Sequence, residues 1–117
     1  AVIVSEGEAA GSGAKRAVLH YRTIKTITTE PGELTLADIE IETGRFHQIR
    51  AQMANAGMAL LGDEKYADEV TRRISHALGV TSVALCAYSL AVRQPVTGKL
   101  LHFQIQPATK AFSFFDL

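Results

Sequence analysis

The chain has 117 residues, with Lys plus Arg at 12 and Asp plus Glu at 12, so its formal net charge is zero. A hydrophobic fraction of 47% and a charged fraction of 21% fit one cored domain and exclude low-hydrophobicity disorder. One cysteine, Cys86, excludes an internal disulfide and a multi-cysteine metal site; no apolar run approaches the ~20 residues of a membrane span; and the neutral balance argues against nucleic acid as a partner.

Residues 1–16 open with a short apolar stretch and then carry Gly7, Gly11 and Gly13 among small and polar residues, which predicts a flexible N-terminal segment. No Met begins the chain and no charged-then-apolar signal peptide follows, so the expectation is a piece of a longer, cytoplasmic protein. From residue 17 to 28 β-branched and alternating residues predict a strand. Pro31-Gly32 suits the central pair of a type II turn, and residues 33–42 predict the returning strand of a hairpin. Apolar positions there change parity from Leu34 and Leu36 to Ile39 and Ile41, which places a bulge near Ala37-Asp38.

A helix is predicted over 45–55, with Phe46, Ile49 and Met53 on one side, and a second over 68–78, with Val70, Ile74 and Leu78 inward, Arg72 and Arg73 outward, and Gly79 as its stop. Residues 83–93 predict an apolar strand, Pro95 to Gly98 a turn, and 100–106 an alternating strand. The tail from Ala111 to Phe115 is expected to dock on the sheet. The sum is an α+β fold: a mixed or antiparallel sheet of about four strands with two main helices.

The densest polar cluster is Glu42-Thr43-Gly44-Arg45-Phe46-His47-Gln48-Ile49-Arg50, at a strand-to-helix junction. Arg45 and Arg50 have the fork geometry that holds a phosphate or a carboxylate, and the helix N-terminus favours anions. The alternative is that both arginines form surface ion pairs with Glu40 or Glu42. The charges are segregated along the chain: Glu30, Glu33, Asp38, Glu40 and Glu42 crowd the hairpin, and the cationic cluster follows directly.

Glu42-Thr43-Gly44-Arg45-x-His47-Gln48-Ile49-Arg50, followed by Gly57-x-x-Leu60-x-Gly62-Asp63-x-x-Tyr66, resembles the RluA-type RNA pseudouridine synthases. Ala17 to Arg22 is similar to the strand of that family that carries a Thr-x-Tyr pattern, with Leu19 in place of Thr. Leu85 to Leu90 is similar to its Leu-His-Ala-x-x-Leu segment, and Gln94 to Gly98 to its His-Pro-x-Thr-Gly segment, so that Cys86 and Gln94 replace two histidines. The likeness covers residues 17–107.

The resemblance implies an isomerase that converts uridine to pseudouridine in RNA (rRNA or tRNA) without a metal or an organic cofactor. It implies that Arg50 pairs with the essential Asp of a His-Arg-Leu-Asp motif, that Arg45, His47 and Gln48 line the same cleft against RNA, and that Leu85 and Tyr88 line the uridine pocket or pack beneath it. Asp63 and Tyr66 are expected to stabilise the loop after the first helix. No His-Arg-Leu-Asp occurs in these 117 residues. Residues 17–117 are therefore expected to be the C-terminal portion of the catalytic domain, lacking the N-terminal part and inactive alone. The alternative is a non-catalytic RNA-binding remnant that uses Arg45, His47 and Arg50. Pairing of two copies through sheet edges, giving a homodimer, is a further expectation.

The remaining residues have plainer readings. The four histidines have no spacing suited to a metal, so none is expected. Cys86, in an apolar stretch, is expected to be a small buried hydrophobe. Phe112, Phe114 and Phe115 are expected in the core, and Arg72 and Arg73 on a solvated helix face.

Overall fold

A computed structural model describes residues 13–93, 100–104 and 110–115 of the chain. Its elements run β1 (Leu19–Thr28), β2 (Glu33–Ile41), α1 (Gln48–Asn55), α2 (Glu69–Leu78), β3 (Ser89–Arg93), β4 (Leu100–Gln104) and α3 (Lys110–Ser113). The class is α+β. The strands do not form one four-stranded sheet: β1 pairs with β2 and β3 with β4, in two separate antiparallel ribbons. Side-chain alternation identifies a strand but says nothing about its partner, and both pairings formed join strands consecutive in the chain.

The first hairpin departs from its sequence pattern twice. Thr29 and Gly32 exchange backbone hydrogen bonds of 2.9 and 3.2 Å, so Glu30 and Pro31, not Pro31 and Gly32, are the loop residues. Gly32 does not take a positive φ; it lies against the end of the Ile74 side chain on α2, 2.8 Å from Cδ1 to the place a Cβ would take. The bulge lies in β1 instead of β2. Thr23 pairs with Ala37 and Lys25 with Leu36, which leaves Ile24 as the extra residue. Because β2 itself stays regular, its parity change is real. Leu34 and Leu36 point to one face and Ile39 and Ile41 to the other, so the ribbon is apolar on opposite faces at its two ends.

Helix α1 starts three residues later than the pattern predicts. His47 sits in the left-handed region at φ 52°, and the first helical bond runs from Ala51 N to His47 O at 2.9 Å. Helix α2 agrees with its signals: the Asp68 side chain accepts from Thr71 N, and Gly79 closes the helix at φ 70°. Its predicted apolar line holds at Ile74 and Leu78, which are half-buried, and fails at Val70. Val70 is exposed, while Ser75 is the deepest residue, because the Ser75 hydroxyl accepts from Gly62 N at 2.9 Å and donates to Thr71 O at 2.8 Å.

Residues 83–88 are irregular, so the predicted strand over 83–93 shortens to β3. Cys86 there is only half-buried. Ala111 and Phe115 of the tail are buried. The Lys110 ammonium lies 2.8 Å from the place a Cβ of Gly79 would take, where a cation suits the C-terminal end of α2. The opening segment up to residue 12, the turn from Pro95 to Gly98, and residues 105–106 of the last predicted strand lie outside the described residues. No helix among the described residues is long and apolar enough to cross a membrane.

Candidate RNA-binding and catalytic cleft

The junction between β2 and α1 is welded to the start of β1 by buried polar groups. Gln48 is buried. Its amide donates to Val18 O at 3.1 Å, and its Oε1 accepts from Thr43 Oγ1 at 2.7 Å and from Arg45 N at 3.0 Å. Thr43 Oγ1 in turn accepts from Val18 N at 2.8 Å. Gln52 donates to Ala17 O at 3.1 Å. These bonds fix where α1 begins, and with it the line of side chains that follows. Gln48, expected against RNA, forms this internal staple and also borders a depression beside Arg45 and Arg50.

Arg50 leaves the first turn of α1 and meets Asp63. Arg50 Nε donates to Asp63 Oδ2 at 2.9 Å and Nη2 donates to Oδ1 at 2.8 Å, a bidentate fork. The Asp63 side chain is 0% exposed, against 21% for that of Arg50. Oδ1 also accepts from the backbone N–H of Lys65 and of Tyr66, both at 3.1 Å. The Arg50 hydrogen bonds hold the Asp63 carboxyl below its ordinary pKa, with the Tyr66 and Lys65 amides in support and burial in opposition. The same bond raises the Arg50 pKa.

Neither arginine takes Glu40 or Glu42 as its partner. Glu42 pairs with His20, and Arg45 Nε donates to Arg16 O at 3.1 Å. Gly62 allows the loop that presents Asp63: its φ is +76°, and a Cβ would fall 2.0 Å from Ser82 O.

His47 lies between Arg50 and Tyr66. Its Nε2 is 3.3 Å from Arg50 Nη1 and its Nδ1 is 2.9 Å from Tyr66 Oη. A guanidinium only donates, so Nε2 is the accepting nitrogen, and Nδ1 carries the proton and donates to Tyr66. Burial and the neighbouring Arg50 and Lys65 charges lower the His47 pKa, which keeps the ring neutral at pH 7. His47 is the one non-glycine residue with positive φ among those described. The side-chain contacts to Arg50, Tyr66 and the stacked Phe46 ring offset that backbone cost.

These groups border an open depression of about 210 Å³, lined by Ile41, Arg45, His47, Ile49, Arg50 and Leu85 among others. The structure thus brings together Arg45, His47, Gln48, Arg50 and Leu85 of the expected site residues around this depression. Tyr88 is not among the lining residues. It donates to Asp38 Oδ1 at 2.7 Å, which raises its pKa and ties residues 83–88 to the first ribbon. Asp38 also receives Arg22 from the paired strand position, at 3.5 Å.

Asp63 as the partner of Arg50 was not legible from spacing, since the two stand in separate motifs. The co-occurrence of Gly62-Asp63-x-x-Tyr66 with the arginine motif was the available signal. Lys65 and the outward Phe46 carried none.

The family model described as RNA pseudouridylate synthase matches residues 4–55. The ribosomal large subunit pseudouridine synthase D of Zymomonas mobilis is 34% identical over 106 residues, which cover 89% of this chain and 31% of that protein. An uncharacterized RNA pseudouridine synthase of Chlorobaculum parvum is 31% identical, over 80% of this chain and 30% of its own length. The dual-specificity RNA pseudouridine synthase RluA of Haemophilus ducreyi is 27% identical, over 80% of this chain and 38% of its own. The chain spans about a third of the length of these curated relatives. On motif, site geometry and similarity together, the chain belongs to the RluA-type family of RNA pseudouridine synthases.

Proposed function

We propose that the chain supplies one wall of the catalytic cleft of an enzyme that isomerises uridine to pseudouridine in structured RNA, rRNA or tRNA. The single observation that supports this most is the position of Arg50: a guanidinium fixed by a buried carboxylate at the rim of a depression. The net reaction breaks the bond from the ribose to uracil N1 and forms one to C5, with the C5 proton lost and N1 gaining a proton. It needs a group that engages the sugar or base while the bond is exchanged, and a pocket to hold the extruded uridine.

Arg50 has its Nε/Nη2 edge committed to Asp63. One Nη1 proton goes to His47, so the second Nη1 proton and the second Nη2 proton are what remain to orient a second carboxylate, the catalytic Asp, which we place outside these 117 residues. A cation there keeps that carboxylate ionised and aimed. Leu85 and Ile41 give the depression an apolar side against which a base rests. Arg45 faces the RNA backbone as a phosphate contact. The chemistry calls on no metal or organic cofactor, and the protein works in the cytoplasm on its RNA.

The second reading, a non-catalytic RNA-binding remnant, draws support from the same Arg45, His47 and Arg50 cluster. A gel shift with transfer RNA or a ribosomal RNA fragment, combined with tritium release from uridine labelled at C5, separates the two. Binding that weakens with salt and falls in Arg45→Ala supports both readings. Tritium release by the chain extended in frame upstream, lost in Arg50→Ala, supports the enzyme. No release from that extended protein leaves the remnant, and no RNA binding in either form contradicts both.

A further inference from the structure

Phe46 is the most exposed large apolar side chain among the described residues, at 71%. The helical pattern groups it with Ile49 and Met53, yet α1 begins only at Gln48, and the left-handed turn at His47 directs Phe46 away from that face. A lone exposed phenylalanine is ordinary. This one is held in place. Its ring lies on the His47 ring with centroids 3.8 Å apart and planes 22° from parallel. The His47 ring is itself fixed at both nitrogens, by Tyr66 and Arg50, and meets Tyr66 edge-on at 5.5 Å. Lys65 Nζ lies 6.0 Å from the Phe46 ring centroid and 5.3 Å from that of Tyr66.

The surroundings are cationic. Arg45, Arg50 and Lys65 lie in this segment, the Asp63 carboxylate has both oxygens taken by Arg50 and backbone amides, and Glu42 and Glu64 are paired with His20 and His76. His47 is held neutral, so its ring stacks without adding charge. A rigid exposed aromatic plane among cations is the arrangement that binds a single-stranded base: the ring takes the base face and the cations take the phosphates on either side. Because the rings are ordered before the ligand arrives, little rotamer freedom is lost on binding.

We propose that Phe46 is a stacking platform for one unpaired nucleotide of the bound RNA, flanked by Arg45 and Lys65 as phosphate contacts. This rests on the RNA reading above and adds to it a residue that grips a base outside the depression. It sets a preference for a flexible nucleotide next to the target over a continuous duplex, whose bases are stacked on each other and unavailable to the ring.

The chain has no tryptophan, so Phe46→Trp places a sole indole at the platform. Adding a short oligouridylate to the full chain at low salt should quench that indole saturably, over the same concentrations at which the anisotropy of a labelled oligouridylate rises. Phe46→Leu should weaken oligouridylate binding by about five- to a hundredfold, the range set by one lost base stack, while Phe46→Tyr stays within a few fold of the parent. Because Phe46 is exposed, these variants should keep the parent's circular dichroism and melting. Oligouridylate binding with no indole quenching, and with Phe46→Leu equal to the parent, overturns the platform and leaves the RNA reading standing. Failure of the parent chain to bind any RNA overturns both. Indole quenching that follows protein concentration without RNA, alongside a sedimenting dimer, assigns the surface to a second copy and also overturns it.

Discussion

Asp63 accepts from Arg50 through both oxygens, at 2.9 and 2.8 Å, and its side chain has no solvent exposure. The two residues stand on different elements, Arg50 on α1 and Asp63 in the loop that precedes α2. Their pairing therefore sets the position of the loop and the aim of the guanidinium together. A buried carboxylate loses hydration that the fork and the two backbone amides must replace, so either partner alone is worse than none. Asp63→Ala and Arg50→Ala should each destabilise the chain by about 3 kcal/mol, toward the low end for a broken buried pair because Arg50 keeps one side in water. The double variant should cost less than the sum. A urea double-mutant cycle measures the coupling, and additive losses would show that the pair is not energetically linked.

Acid should act on this pair in a defined window. The folded-state pKa of Asp63 is lowered from 3.8. Its contribution is therefore fully present above pH 3.8 and is lost as pH falls from there through the lowered value. In Asp63→Asn the fall in stability below pH 3.8 should become shallower, as read from urea midpoints along a pH series. An unchanged acid slope would remove Asp63 from the titration.

His47 should titrate on the low side of its ordinary 6.5. Its neutral form is the one that accepts from Arg50, so its stabilising effect is complete above pH 6.5 and declines as pH falls through the depressed folded value. Nuclear magnetic resonance of the ring protons should report a midpoint under 6.5. In Arg50→Gln the midpoint should move upward, since a neighbouring positive charge is gone. A His47 midpoint at or above 6.5 in the parent chain would contradict the Nδ1-protonated ring bridged to Arg50.

Glycine positions should separate sharply. Gly62→Ala forces both a left-handed φ and a Cβ onto Ser82 O, and should cost well over the 1–2 kcal/mol of backbone strain alone. At Gly57, also at positive φ but with nothing within 4 Å of a Cβ, the same change should cost about 1 kcal/mol. Thermal melts of the two variants side by side check the difference, and equal losses would mean that contact with Ser82 contributes nothing.

Ser75 is the polar floor under the Asp63 loop. Ser75→Ala leaves Gly62 N–H buried without its acceptor and should cost about 1–3 kcal/mol. Ser75→Thr, which retains the hydroxyl, should cost less if the added methyl group fits. Urea midpoints for both variants decide it; a neutral Ser75→Ala would show that Gly62 finds another acceptor.

Local signals carried much of this fold. Asp68 and Gly79 marked the ends of α2 because caps are side-chain and φ events confined to a few residues. The hairpin was legible from alternation, while its loop and bulge were not: Gly32 lies against Ile74 on a distant helix, and Ile24 bulges opposite a regular strand. Helix α1 began late because His47 adopts a conformation that its residue type rarely takes and that its ring contacts stabilise. Among the site residues, Arg45, His47, Gln48, Arg50 and Leu85 border one depression. The further roles of Gln48 as an internal staple and of Tyr88 as a tie to Asp38 were hidden, since hydrogen-bond partners from other elements are invisible in a one-dimensional pattern. The neutral net charge concealed a cationic cleft beside an acidic hairpin.

The most direct test of the central claim is tritium release from RNA labelled at uracil C5, measured with enzyme in excess over RNA. The 117-residue chain should bind this RNA and release no tritium above background, whereas the protein extended in frame upstream to a His-Arg-Leu-Asp motif should release it and lose that release in Arg50→Ala. Release by the 117-residue chain itself, or undiminished release by the extended Arg50→Ala protein, would contradict the account.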